Sequence, residues 1–336
     1  MNYLFLDTLK SFIHYWANNY AEQMEKNNQS SVTEFVFLAF ANISRWNVLL
    51  FMAFLVSYLI VLVENVALLI IIGFDHRLHT PMYFFLWNMS FIETCYTFVI
   101  IPRFMISLLT KNNAISLTGC ATQMFFYIGL GDAEVFLVVV MAYDRYVAVS
   151  NPLRYKTIMS EVVCLKFLVA ILVVSFLLSL QQVILVFHLP YCGSNEIDHF
   201  FCDVAQILIL AAPCVDMFYV YWIVFNIYGF ISFSVPIVLI LISYIYIIVA
   251  ILKIRNAEGR RKAFSSCSSH LTVVVLTYSC LIFIYLRPKS TYRWDKNKVF
   301  FVIYTFTSAV LNPLIYTLRN KAVKSAFRKA IFRRTA

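Results

Sequence analysis

Seven stretches of the chain are long and almost wholly apolar, and the polar residues collect between them. The stretches cover 47–72, 81–101, 116–149, 163–189, 218–252, 261–286 and 298–318. A helix needs roughly 20 apolar residues to cross hydrocarbon, and each stretch supplies that. The third and fifth are longer, which predicts inner ends that project beyond the lipid. The runs are too long and too uniformly apolar for the alternating strands of a membrane barrel. A helix satisfies its own backbone polar groups, so it is the remaining structure that hydrocarbon admits. The pattern predicts an all-α, seven-transmembrane helix bundle over 47–318. An N-terminal tail (1–46) precedes it, and a short amphipathic C-terminal helix lies in 319–336.

Composition agrees. The 336 residues are 62% hydrophobic and 13% charged, more apolar surface than a soluble domain hides. The formal charge of +10 would suit a nucleic-acid partner, but the basic residues lie in loops between apolar spans, which argues for no nucleic acid and for a lipid bilayer. An odd number of spans puts the termini on opposite sides. With the N-terminus outside, the inner side holds seventeen Lys and Arg against four acids, and the outer side ten against nine. The positive-inside bias therefore predicts a multi-pass plasma-membrane protein with an extracellular N-terminus. Residues 1–23 lack the continuous apolar core of a secretory signal. They read as an optional extension, with Met24 as a second start. Asn28 and Asn42 head glycosylation sequons on the outer side, Asn28 farther from the membrane.

Cys120, Cys192, Cys202 and Cys214 fall on the outer side, where an oxidising compartment favours two disulfides; three pairings are open. The loop between Leu189 and Asp216 carries four acids and no Lys or Arg, and reads as an acidic, stapled cover over the bundle. His199 beside Cys202 invites a metal site, but a disulfide-bonded cysteine offers no thiolate.

Four acids lie deep in spans: Glu64, Glu93, Asp132 and Glu134. Intramembrane charge is costly and usually functional. Glu93 and Glu134 sit near the middles of their spans, and two facing carboxylates repel. A bound sodium ion relieves that; so does protonation with hydrogen bonds to Asn65, Ser90 or Asn312, and both readings stay open. No other cofactor is expected. Pro236 and Pro313 remove helical hydrogen bonds and suit hinges, whereas Pro102 reads as a helix terminator.

At the inner end of the third span stands Asp144-Arg145-Tyr146. With Asn312-Pro313 and Tyr316 in the last span, Pro236 and Tyr244 in the fifth and Asn65 in the first, it resembles the switch elements of rhodopsin-like G-protein-coupled receptors. LHTPMYFFL (78–86), MAYDRYVAV (141–149), Ser243-Tyr244, KAFSSCSSHL (262–271) and PLIYTLRN (313–320) narrow the resemblance to the odorant (olfactory) receptor family, over nearly the whole chain. Glu64 in place of glycine, Ser150 in place of cysteine and a longer Cys202-to-Cys214 interval depart from the family pattern.

The resemblance implies pairing of Cys120 with Cys202 and of Cys192 with Cys214. It implies a small-molecule odorant in the outer half of the bundle. Helical spacing then puts Met124, Tyr127, Ile128, Gly131 and Asp132 on the wall, with Tyr228 and Ser232 from the fifth span. Leu281, Ile282 and Tyr285 follow from the sixth, and Thr305 from the last. If ionised, Asp132 favours a cationic ligand such as an amine; a protonated or helix-facing Asp132 is the plainer reading. The resemblance also implies a heterotrimeric G protein of the stimulatory olfactory type, raising cyclic AMP, which docks at Arg145 and Tyr244 when the sixth span swings outward. His270 reads as a latch of the closed state or a packed neutral histidine. A small-solute transporter is the rival class, but inverted repeats and glycine-broken spans are missing. Six scattered histidines supply no catalytic constellation, so no enzyme is expected.

Overall fold

The computed structural model describes residues 32–38, 47–110, 113–191, 194–211, 228–285, 315 and 323–326. Its long helices are α1 (Asn47–Phe74), α2 (Pro81–Leu109), α3 (Leu117–Ser150), α4 (Glu161–Phe187), α5 (Val235–Leu252) and α6 (Ala257–Tyr285). Five of the described helices, α1 to α5, are long and apolar enough to cross a membrane. The α5 span includes a preceding π-helical stretch, Phe230–Ser234. The last predicted span lies outside the described residues apart from Ile315, which packs on the core of the bundle.

The third helix is the central post. It packs against α2, α4, α5 and α6. Of its most apolar window 67% is buried, against 28% for α1, α4 and α5. Those outer helices show apolar side chains such as Val63, Leu177 and Ile245 to their surroundings, an arrangement stable only where the surroundings are lipid. Helix contacts are made close by small residues. A Cβ on Gly129 would stand 2.7 Å from the Phe176 ring, so glycine lets α4 approach α3. Ser179 Oγ reinforces that contact by donating to the Phe125 carbonyl at 2.6 Å. Trp87 Nε1 donates across to the Leu69 carbonyl at 3.2 Å, tying α2 to α1.

Two prolines behave differently. Before Pro236 the fifth span winds as a π-helix, with the Val235 N–H reaching back to the Phe230 carbonyl. A π-turn is a known way to absorb a disrupted ladder. Pro102 does not end the second span: α2 runs through it to Leu109. The missing backbone bond is outweighed because Phe104 and Leu108, beyond the proline, are buried in the core.

One end of the bundle carries a small sheet that the apolar pattern did not announce. β1 (Glu34–Phe37) lies between β2 (Ala114–Ser116) and β3 (Glu196–Ile197). It pairs antiparallel with β2, Phe35 opposite Ile115, and parallel with β3, Val36 opposite Glu196. Period-two alternation turns Phe35 and Phe37 inward, where both are almost wholly buried. Arg103 of α2 donates to the Ala114 carbonyl and pins β2 to the bundle. The Cys120–Cys202 disulfide, implied by the family resemblance, fastens the loop after α4 to the start of α3.

Candidate functional site

Chemistry-bearing residues collect at both ends of α3. At the sheet end, Met124, Tyr127 and Ile128 are buried in an apolar cluster that also takes in Phe35, Phe37, Phe104, Phe200 and Phe201. The Tyr127 ring meets Phe201 at 4.8 Å and Tyr96 at 5.6 Å between centroids. The wall foreseen from helical spacing is thus covered by the loop after α4 and by β1. Gly131 looks toward Tyr96 of α2, 3.5 Å from where its Cβ would be.

Deeper, Asp132 is 6% exposed, and Tyr228 Oη donates to its carboxylate, 3.0 Å from Oδ1 and 3.1 Å from Oδ2. Ser232, one turn farther along the fifth span, is buried beside the same carboxyl. Asp132, Tyr228 and Ser232, far apart in sequence, therefore meet. Leu281, Ile282 and Tyr285 belong to α6, but their side chains lie outside the described set, as does Thr305 entirely.

Gln123 escaped the sequence reading. Its amide donates to the Val99 carbonyl of α2 at 3.1 Å, and its Oε1 accepts the Cys202 N–H at 3.1 Å. It fixes the loop to two helices beside the disulfide. The available signal was a lone amide side chain in an apolar span, three residues after Cys120. Asp203, the next residue of the loop, caps the short helix Val204–Ala211 by accepting the Ala205 N–H at 3.1 Å. Dense packing raises its carboxyl to about 6, although the backbone N–H bonds from Ala205 and Gln206 oppose the shift.

Glu93 of α2 is buried, and Oε1 of Glu134 on α3 is enclosed without a hydrogen-bond partner among the described residues. Glu64 Oε2 and Asn65 Oδ1 on α1 are enclosed in the same way. Among the described residues no three His, Cys, Asp or Glu side chains group as metal ligands.

At the other end Asp144 is 1% exposed. Its Oδ1 accepts Tyr155 Oη at 2.7 Å, and its Oδ2 stands 4.0 Å from Arg145 Nε. Tyr155 opens the short helix Tyr155–Ile158, and burial together with the adjacent carboxylate raises its hydroxyl pKa, keeping it a donor. This partner was missed too, although Tyr155 lies only six residues beyond the MAYDRYVAV run. Tyr244 of α5 and His270 of α6 are both buried and joined at 2.6 Å. The Tyr146 ring meets that of Tyr246 on α5 at 5.7 Å between centroids, tilted by 51°. The structure therefore clasps α3, α5 and α6 around Arg145. Asn312, Pro313, Tyr316, Cys192, Cys214, Asn28 and Asn42 lie outside the described residues.

Residues 54–334 match the sequence profile of the olfactory receptor family. Olfactory receptor 10Q1 of Homo sapiens is 47% identical over 310 residues, 92% of this chain and 96% of the relative. Olfactory receptor 10V1 of Homo sapiens is 48% identical over 309 residues, covering 92% and 99%. Olfactory receptor 5AR1 of Mus musculus is 46% identical over 308 residues, covering 92% and 98%. With apolar helices for a membrane, the Cys120–Cys202 staple and this likeness over nearly its full length, the chain belongs to the olfactory receptor family.

Proposed function

We propose that the protein is an odorant receptor of the plasma membrane, with the sheet end outside and the Arg145 end inside. A small volatile molecule binds in the outer half between the third, fifth, sixth and seventh spans. Met124, Tyr127, Ile128, Gly131, Asp132, Tyr228 and Ser232 belong to its wall, with Leu281, Ile282, Tyr285 and Thr305 completing it. A ligand that binds the open state better than the closed one shifts the population toward the open state. The sixth span then swings outward, and Arg145 and Tyr244 line a cleft for a heterotrimeric G protein of the stimulatory olfactory type.

The observation that carries this reading is the clasp at the Arg145 end. Tyr244 and His270 hold α5 to α6, while Tyr155 and Asp144 hold the loop to α3. Opening must exchange these hydrogen bonds, and Arg145 presents the donors a partner's terminal carbonyls need. Asn312, Pro313 and Tyr316 supply the hinge of the last span. A sodium ion between Glu93 and Glu134 belongs to the same reading, since the buried pair needs a cation or a proton to relieve its repulsion. The tail from 319 lies on anionic lipid as an amphipathic helix; within it Val323 and Ala326 are buried and Lys324 is exposed.

The test is a broad odorant panel on cells that express the full chain with a cyclic AMP reporter. Some odorant raises cyclic AMP in the wild type, and Arg145→Ala removes the response at unchanged surface staining. Uptake of a labelled solute with no cyclic AMP response would favour a transporter instead.

A further inference from the structure

An apolar cleft for volatile molecules does not account for the junction at Asp132. We propose that Asp132 is the anchor for a protonated amine, so that the preferred ligands carry a primary ammonium on a small apolar body. This rests on the reading of the outer half as an odorant site and names the chemical class that site takes.

Three observations carry it. First, the carboxylate is underfilled. A carboxylate offers about four lone-pair sites. Tyr228 Oη has one proton to share between oxygens at 3.0 and 3.1 Å, and Ser232 at most one more. Second, among the described residues no protein cation pairs with it. The third span before Arg145 and the fifth span contain no Lys, Arg or His, and Lys and Arg elsewhere stand at span ends. An isolated carboxylate in such a setting is costly, and a bound ammonium removes that cost. Third, the backbone is shaped toward it. The π-helical stretch Phe230–Ser234 lies between Tyr228 and Pro236, in the part of the fifth span that presents both hydroxyls to Asp132. Such irregularities concentrate at functional sites.

An ammonium brings three donors and the missing charge, and charge-assisted bonds are roughly twice as strong as neutral ones. An alcohol brings one donor and no charge. Tyr228 also packs on the apolar cluster of Met124, Tyr127 and Ile128, which places aromatic and aliphatic surface next to the anchor for the ligand's body.

The experiment compares straight-chain primary amines with alcohols and alkanes of matched length on the full-length receptor, reading cyclic AMP and surface staining. Amines activate the wild type at concentrations at least tenfold below the matched alcohols. Asp132→Asn removes that advantage. Amines that do no better than alcohols, while other odorants do raise cyclic AMP, overturn the proposal and leave the receptor reading standing. So does an advantage that survives Asp132→Asn. Where Asp132→Asn does not reach the surface, the amine–alcohol comparison on the wild type decides. Silence to every odorant at normal surface staining defeats the receptor reading instead. The amine site is then judged by thermal shift of the purified chain in lipid nanodiscs. Heptylamine raises the wild-type midpoint and heptanol does not; equal shifts overturn the proposal.

Discussion

Asp203 shows how a single residue ties the loop after α4 to solution pH. Its folded carboxyl titrates near 6, above the 3.8 of an unperturbed aspartate. A raised acid binds more protons folded than unfolded, so its contribution is most favourable below about pH 4 and declines as pH rises through 6. Asparagine caps a helix about as well and carries no charge to desolvate. Asp203→Asn is therefore expected to raise the thermal midpoint at pH 7 and to flatten the wild type's decline between pH 4 and 6. The gain is on the order of 1–3 kcal/mol, since each pKa unit corresponds to about 1.4 kcal/mol. Thermal unfolding of the purified receptor across that window checks both. Tyr155 makes the matching case at the opposite end. Tyr155→Phe deprives a buried carboxylate of its hydroxyl donor at a cost of about 1.5–3 kcal/mol. Because that bond belongs to the closed clasp, ligand-free cyclic AMP should rise; a basal level equal to wild type at matched expression would count against it.

At the scale of elements, Gly129 sets the distance between α3 and α4. An alanine there drives a methyl into the Phe176 ring, and overpacking of this kind costs about 1–3 kcal/mol. Gly129→Ala should lower the thermal midpoint, and adding Phe176→Leu should restore part of the loss. The strand β1 makes a second case. Phe35 is fully buried in the outer cluster, and truncating such a ring costs about 3–5 kcal/mol. Phe35→Ala is expected to release the Glu34–Phe37 strand and open it to protease, while Glu34→Ala on the exposed face is not. The helices were legible in sequence because long uninterrupted apolar runs have one structural solution in lipid. The sheet was not, because its strands are two to four residues long and β1 meets partners about 80 and 160 positions away. Pro102 misled for a related reason: proline is read locally, whereas burial of Phe104 and Leu108 decides the helix beyond it. At the site, the spacing rule found Asp132, Tyr228 and Ser232 because they lie at helical intervals on two spans. It missed Gln123, which accepts from Cys202 of a loop, and Tyr155, which itself lies beyond the end of α3.

Across the whole molecule, α3 connects a covered sheet end to a clasped Arg145 end. The cover rests on the Cys120–Cys202 staple, on Gln123 and on β1; the clasp rests on Tyr155–Asp144 and Tyr244–His270. The central claim is that a ligand in the outer half opens the clasp. It is tested most directly by the distance between spin labels on Leu153→Cys, in the fully exposed loop after α3, and Phe264→Cys, on the exposed face of α6. The account predicts that an activating odorant shifts the distance distribution toward longer separations in the full-length receptor in lipid, in proportion to the cyclic AMP it raises. A distribution unchanged by an odorant that does raise cyclic AMP would contradict it.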